Sequence, residues 1–293
     1  MMIGNMPDIS AAFLVSNAAE LLTNSQTPRL DAEIILSHIL GIERSELLLR
    51  EVCPGEAETS AFEKLIERRR RGEPVAYLTG KKDFYKHTFA VNSSVLIPRP
   101  ETEGVIEAVL ARYRNVEALS LLDIGTGSGC IAVSIAVERP KWRVVGSDIS
   151  SAALETARGN ASLLSASNVE FVESDLFSAI NGKFDVIVSN PPYVPSSDEK
   201  NIMADVREYE PHGALFAGDD GLSVIRRLLA VASGHLHRDG MLFCEIGFGQ
   251  RDDVETLIAN AQGDDWSGYS FIQDLSGTDR ILAVQRSGKN GRD

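Results

Sequence analysis

Leu121-Leu122-Asp123-Ile124 runs without a break into Gly125-Thr126-Gly127-Ser128-Gly129, and an apolar segment with helical spacing, 130–137, opens directly behind the glycines. A short apolar run bounded by a turn reads as a buried strand. Glycines at its end let the backbone turn sharply and approach a ligand closely. Outward from this point the alternation continues. Strands are expected at 143–148, 169–173, 184–189 and 240–246, and helices at 151–164, 222–236 and 252–261. Two last runs, 269–274 and 280–285, flank Ser276-Gly277-Thr278 closely enough to form a hairpin. The reading is an α/β fold, a seven-stranded, mostly parallel sheet with helices on both faces, its final strand antiparallel.

Upstream the pattern is helical. Apolar residues recur at helical spacing in 11–22, 30–40 and 62–66, punctuated by Pro28, Gly41 and Pro54-Gly55. A β-prone run, 84–91, then Asn92-Ser93, then 94–97, suggests a hairpin closed by Pro98 and Pro100. The expected organisation is a helical domain over 1–82, a β-hairpin linker over 83–97 and the α/β domain over 98–293.

Composition narrows the classes. The chain has 293 residues, 43% hydrophobic and 24% charged, with a formal net charge of −13. This is ordinary globular usage and excludes disorder throughout, collagen and coiled coil. No apolar run reaches the ~18 residues of a membrane helix. The first 28 residues contain no Lys or Arg, unlike a secretory or transit leader. Cys53, Cys130 and Cys244 are odd in number and widely spaced, so neither a disulfide framework nor a zinc site is expected. The five histidines show no ligand spacing, and no metal is expected. A reduced, cytoplasmic, soluble protein fits these features.

Charge is uneven. Residues 1–95 carry 11 basic and 13 acidic side chains, and residues 96–293 carry 18 and 29. So acidic a second part should repel a polyphosphate. The one dense basic run, Arg68 to Arg71, ends a helical pattern and reads as a solvated helix terminus rather than a nucleic-acid contact.

The glycine loop lies beyond the carboxyl end of a strand, where ligands sit in doubly wound sheets. The second strand ends in Asp148, 23 residues after Gly125, a spacing that suits a carboxylate on the two hydroxyls of a ribose. The G-x-G-x-G spacing is not the dinucleotide pattern, and no Walker Gly-Lys-Ser/Thr is present. A nucleoside with an amino-acid tail and no phosphate, S-adenosylmethionine, satisfies both facts. Its carboxylate suits a helix N-terminus. Asp175, after the third strand, could reach an adenine amino group with Leu176 covering the ring, or could cap a helix starting at Leu176.

The fourth strand runs straight into Asn190-Pro191-Pro192-Tyr193. The prolines set the backbone, supply carbonyls without N–H donors and force Asn190 toward an extended conformation. A rigid array of acceptors suits a substrate –NH₂ group whose lone pair is delocalised. Asn190 Oδ1 and the Pro191 carbonyl would each accept one N–H, and Tyr193 would close over the planar group.

Together, Asp123 to Gly129 and Asn190 to Tyr193 resemble class I adenosylmethionine-dependent N-methyltransferases, which include enzymes acting on nucleobase amines and on glutamine amides. Further stretches resemble the release-factor glutamine methyltransferase family. They are Glu73-Pro74-Val75-Ala76-Tyr77-Leu78-Thr79-Gly80 and Phe84, Val95-Leu96-Ile97-Pro98-Arg99-Pro100-Glu101-Thr102-Glu103, Glu210-Pro211 with Ala214-Leu215, Glu245-Ile246-Gly247 with Gln250, and Asp274-Leu275-Ser276-Gly277 with Asp279-Arg280. The resemblance runs from about residue 65 to 285 and implies a Rossmann-like methyltransferase sheet. The implied reaction is methylation of the glutamine side-chain nitrogen in the Gly-Gly-Gln loop of peptide chain release factors, releasing S-adenosylhomocysteine. It implies that Gly125, Thr126, Gly127, Ser128, Gly129, Asp148, Asp175, Leu176 and Asn190 bind the cofactor. Asn190, Pro191, Pro192 and Tyr193 would hold the glutamine, with Asn190, Pro191 and Tyr193 catalytic. Leu176 departs from relatives that place an aromatic residue beside the adenine. The expected partner is the release factor, gripped by the helical domain of a monomeric enzyme that touches neither nucleic acid nor membrane. The alternative is an N-methyltransferase acting on an exocyclic nucleobase amine of RNA or DNA. A binding module that kept the fold without catalysis is a third reading. For Arg99 and Glu101, a substrate-facing role and an interdomain ion pair are both open.

Overall fold

The structure is a computed structural model and describes residues 10–260 and 266–287. It divides into two compact units. One comprises the chain through Gly80 together with Met203–Tyr209, the other Lys81–Ile202 and the chain from Glu210 onward.

The first unit is helical: α1 (Ala11–Leu21), α2 (Pro28–Leu40), α3 (Arg44–Leu49), α4 (Glu56–Arg70) and α5 (Val75–Thr79). Local signals set the ends. The Ser10 hydroxyl accepts from the Phe13 N–H at 3.3 Å at the start of α1. Pro28 opens α2, and Gly41 closes it in the left-handed region at φ 64°. Leu14, Val15, Ile35, Leu36, Phe62 and Ile66 form its core. The arginine run at the end of α4 is paired throughout: Arg68 with Glu73, Arg69 with Asp31 and Asp205, Arg70 and Arg71 with Glu67.

The second unit begins with a hairpin, β1 (Lys81–Phe84) and β2 (His87–Ala90), followed by α6 (Glu103–Arg112). Next come β3 (Ser120–Ile124), α7 (Cys130–Glu138), β4 (Arg143–Asp148), α8 (Ser151–Leu163), β5 (Val169–Glu173) and β6 (Phe184–Ser189). After α9 (Ala204–Tyr209), which is counted with the first unit, follow α10 (Ser223–Ala232), β7 (Leu236–Glu245), α11 (Arg251–Asn260), β8 (Trp266–Gln273) and β9 (Asp279–Arg286). Seven strands form one sheet in the order β5-β4-β3-β6-β7-β9-β8. Strands β3 to β7 run parallel to one another, and β9 runs antiparallel to both β7 and β8.

Both faces are covered, so the middle residues of the central strands, such as Leu121-Leu122, Val144-Val145 and Val186-Ile187-Val188, are consecutive apolar residues. Leu121, Val144, Val186 and Val188 face a core shared with α6 and α7. Leu122, Val145, Ile187 and Leu242 face the opposite core, shared with α10 and α11. The sheet reverses its winding at β3: β4 and β5 lie on one side, β6 and β7 on the other. That switch opens a crevice at the carboxyl ends of β3 and β6.

Two elements differ from expectation. The hairpin turns at Tyr85-Lys86, not at Asn92-Ser93. Tyr85 takes a left-handed φ of 56°, and its N–H donates to Glu103 Oε1 at 2.9 Å, so a carboxylate distant in sequence holds the turn. Phe84 and Phe89 of this hairpin are buried in the core of the second unit. Helix α6 was not expected, yet it buries Val105, Ile106 and Val109 against the sheet.

Candidate active site

The loop after β3 is built by three left-handed glycines, Gly125 (φ 72°), Gly127 (φ 55°) and Gly129 (φ 80°). They serve different ends. A Cβ on Gly125 or Gly127 would meet nothing within 4 Å, so both border open space. A Cβ on Gly129 would lie 3.1 Å from Ala157 Cβ, so this glycine lets α7 approach α8. The loop is tied down by its neighbours. Gly125 and Thr126 N–H groups both donate to the Ser147 carbonyl at 2.8 Å. Buried Asp123 accepts at Oδ2 from the Thr126 hydroxyl (2.7 Å) and the Ala132 N–H (3.2 Å). Burial pushes its carboxyl up to about 7 against those two bonds.

Asp148 accepts from Gly127 N–H at Oδ2 and from Ser150 N–H at Oδ1, each at 2.9 Å. A carboxylate offers about four lone-pair sites, so acceptor capacity remains on both oxygens. The loop, Asp148 and the end of β6 line one cavity of about 420 Å³, within the range of small-molecule sites, roughly 300–1,000 Å³. Its lining includes Gly125, Thr126, Gly127, Ser128, Asp148, Asp175, Leu176, Asn190, Pro191 and Pro192. Two of the expected site residues, Gly129 and Tyr193, are not in that lining.

Asp175 neither caps a helix nor stands free. Both its oxygens accept from Arg227 Nη2, at 2.9 and 2.8 Å, across the rim of the cavity. Leu176 sits in the left-handed region at φ 50°, an unusual state for a branched residue. The Ser174 hydroxyl holds it there by donating to the Leu176 carbonyl at 2.9 Å.

The turn after β6 is gripped at both ends. Asn190 Nδ2 donates to Thr102 Oγ1 at 2.9 Å, which leaves Oδ1 as the end of the amide for the cavity that Asn190 lines. Past the prolines, Val194 bridges to Phe216 through a bond from its N–H to the Leu215 carbonyl (2.9 Å) and one from Ala217 N–H to its own carbonyl (2.9 Å). Gln250 Nε2 donates to the Tyr193 carbonyl at 2.9 Å, while Gln250 Oε1 accepts from Gly247 N–H at 2.8 Å. Gly221, at φ 72°, must lack a side chain, because a Cβ there would run into the Tyr193 carbonyl.

Tyr193 corrects an expectation. Its ring packs against the α10–α11 core instead of covering the cavity, and its hydroxyl donates to Glu245 Oε1 at 3.1 Å. A buried phenol needs a partner, and Glu245, at the end of β7, supplies it. Burial and the adjacent Glu245 raise the Tyr193 phenol well above its ordinary value. Burial also pushes Glu245 up to about 7, opposed by the Thr102 and Tyr193 hydroxyls and by Arg280.

Sequence reasoning left other site residues unassigned. Thr102 is 2% exposed and shows no signal of its own beyond its place in a resembling segment. Glu210 accepts from the Ile97 N–H (3.0 Å) and from Arg99 Nη2 (2.5 Å), so Arg99 pairs within its own unit. Cys130, at the start of α7, is pushed up to about 12 by burial, the opposite of a helix-start thiolate. Among the described residues no group of three or more His, Cys, Asp or Glu could hold a metal ion. Nor is any described helix long and apolar enough to cross a membrane.

A family model described as Methyltransferase small domain matches residues 106–208, and one described as PrmC N-terminal domain matches residues 14–80. The release factor glutamine methyltransferase of Koribacter versatilis is 40% identical over 268 residues, covering 90% of this chain and 93% of that protein. The one from Neisseria gonorrhoeae is 43% identical over 267 residues, covering 89% and 95%. A solved methyltransferase from Pyrococcus furiosus shares the fold at a TM-score of 0.50 and 19% identity, over 69% of this chain and 89% of that one.

Proposed function

This chain belongs to the release factor glutamine methyltransferase family, and we propose that it methylates the side-chain amide nitrogen (N5) of the glutamine in the Gly-Gly-Gln motif of peptide chain release factors. The observation that carries this reading is that Asn190, Pro191 and Pro192 line the cavity, with Asn190 Nδ2 committed to Thr102.

The residues present fit S-adenosylmethionine, the cofactor the family implies. The open space beside Gly125 and Gly127 admits a ligand against the backbone, and Asp148 keeps lone pairs for ribose hydroxyls. In this reading Gly125 to Ser128, Asp148, Leu176 and Asn190 hold it. Asp175 contributes at the rim through its pair with Arg227, and Gly129 acts by packing. When bound, the cofactor supplies a methyl group on a positively charged sulfur.

The protein's part is positioning and charge. A carboxamide nitrogen is a poor nucleophile because its lone pair is delocalised. Asn190 Oδ1 and the Pro191 carbonyl each accept one of its N–H groups, which holds the plane of the amide and aims the nitrogen. Positive charge that develops on the nitrogen strengthens both bonds, so the same acceptors stabilise the transition state. No strong base is needed beforehand, and the nitrogen gives up one N–H proton to water as or after it takes the methyl group. Tyr193 acts by anchoring the turn. The helical unit takes up the release factor away from the glutamine, and the setting is the cytoplasm. S-adenosylhomocysteine leaves as the second product, and the enzyme works as a monomer without a metal.

The rival substrate, a nucleobase amine, would use the same turn but needs a basic surface. The arginines of α4 are consumed in ion pairs, and the part of the chain from residue 96 is strongly acidic. Incubation with methyl-labelled cofactor and either a release factor or total RNA and DNA separates the two. Label is expected in the release factor; label confined to nucleic acid overturns the assignment.

A further inference from the structure

The Pro191 carbonyl has to point at the substrate nitrogen, yet the two prolines alone do not fix where it points. Their rings lock φ but leave ψ free, and neither has an N–H to anchor the chain. The direction of that carbonyl depends on how firmly the ends of the turn are held. Thr102 holds the Asn190 end. At the other end stands Gln250, directly before α11 and 8% exposed. Its Oε1 accepts from the Gly247 N–H at 2.8 Å. Its Nε2 donates to the Tyr193 carbonyl at 2.9 Å and to the Gly221 carbonyl at 3.4 Å. A backbone N–H can only donate and a carbonyl can only accept, so this amide has one possible orientation, with both its protons used. The surroundings are shaped to it. Gly247 is outside the left-handed region, so its backbone would accept other residues, but a Cβ there would lie 2.8 Å from Gln250 Oε1. A Cβ on Gly221 would lie 2.9 Å from Gln250 Nε2. Room is thus kept for one amide that ties together the turn after β6, the loop before α10 and the β7–α11 connection.

Resting on the glutamine reading above, we propose that Gln250 is a positioning residue for methyl transfer: by donating to the Tyr193 carbonyl it pins the far end of the turn and so aims the Pro191 carbonyl at the substrate N–H. Gln250 is not in the lining of the cavity and needs no contact with the substrate. With both ends of the turn held and both proline φ angles locked, little freedom is left to the carbonyl between them. The contribution is rigidity of a turn that must present two oxygens at once.

Full-length Gln250→Met, Gln250→Glu, Asn190→Ala and the double variant Gln250→Met with Asn190→Ala test this. Gln250→Met keeps the length and deletes the bonds to Gly247, Tyr193 and Gly221. Gln250→Glu keeps the bond from Gly247 but turns an oxygen toward the Tyr193 and Gly221 carbonyls. Methylation of a release factor is followed for kcat and KM far below the melting temperature. Rates are counted per site titrated with S-adenosylhomocysteine, so unfolded protein does not register as lost rate. Gln250→Met is expected to lower kcat about 10-fold and Gln250→Glu about 100-fold, the scale of one lost and one reversed hydrogen bond, with cofactor Kd and substrate KM nearly unchanged. In the Asn190→Ala background Gln250→Met should cost less than it does in wild type, because residues that act through one unit do not multiply. If Gln250→Met keeps wild-type kcat per site while Asn190→Ala is slow, the proposal is overturned and the active-site reading survives. Loss of titratable sites in step with activity makes Gln250 merely structural, and full multiplication of the two effects places its action outside the turn; either result also overturns it. If Asn190→Ala is itself fully active, the turn is not the active site and both readings fail.

Discussion

Asp148 shows how a single carboxylate is prepared for a ligand. Its two backbone bonds fix the orientation of the side chain and leave outward lone pairs. Asp148→Ala should therefore raise the cofactor Kd about 10–100-fold, the scale of one or two charge-assisted bonds, with little change in melting temperature. Calorimetric titration with S-adenosylhomocysteine checks this; an unchanged Kd removes the ribose assignment. The buried acids carry a different consequence. Glu245 and Asp123 are each held up to about 7 by burial, against about 4 for an exposed carboxyl. The folded protein then binds more protons than the unfolded chain between those values. Their contribution to stability is full below about pH 4 and is lost as pH rises through about 7, at up to about 1.4 kcal/mol per pH unit and group. Urea midpoints measured at pH 5 and 7.5 should fall more steeply for wild type than for Glu245→Gln; parallel curves would mean that Glu245 is ionised in the folded state throughout.

At the scale of elements, the glycine loop combines two functions that substitution can separate. Gly129→Ala places a Cβ 3.1 Å from Ala157 Cβ and 3.3 Å from its Cα, on a left-handed backbone. Two helices must part, at a cost of about 1–3 kcal/mol, and thermal melting should show it. Gly127→Ala meets no atom within 4 Å and carries only the left-handed penalty, about 1–2 kcal/mol. It should lose cofactor affinity out of proportion to stability. Equal losses of stability and affinity in the two variants would contradict this division. The loop, Asp148 and the turn after β6 were legible in the sequence because glycine, proline and strand-end acids are local signals. Thr102 and Glu245 were not. Their significance comes from contacts 88 and 52 residues apart along the chain, and an acid ending an apolar strand looks like a solvent-facing terminus. The hairpin turn was misread for the same reason. Tyr85-Lys86 has no turn chemistry of its own, and Glu103 supplies the missing partner. Tyr193 is expected from the sequence to close over the planar group and offer its π-face to the developing cation, whereas its ring packs on the α10–α11 core and its hydroxyl donates to Glu245.

For the whole molecule, charge and the two units argue for a protein substrate. The four arginines of the basic run are internally paired, so added RNA should not compete with a release factor at physiological salt. Inhibition by RNA that weakens steeply with salt would reveal a phosphate-binding surface and favour the rival substrate. The mostly parallel sheet with helices on both faces was readable from strand–helix alternation, whereas the strand order and the reversal at β3 come from the structure. Helix α6 escaped because the proline-rich segment before it suggested a loop, whereas its apolar stripe is completed by the sheet. The acceptor pair of the turn is the feature on which the chemistry of the whole molecule depends. Single-turnover methylation of a release factor, with the modified residue located by mass spectrometry, tests it in wild type and Asn190→Ala side by side. The wild type should place one methyl on the Gly-Gly-Gln glutamine, and Asn190→Ala should slow that step about 10²–10³-fold at saturating cofactor. Methylation of the same glutamine at an undiminished rate in Asn190→Ala would contradict the account.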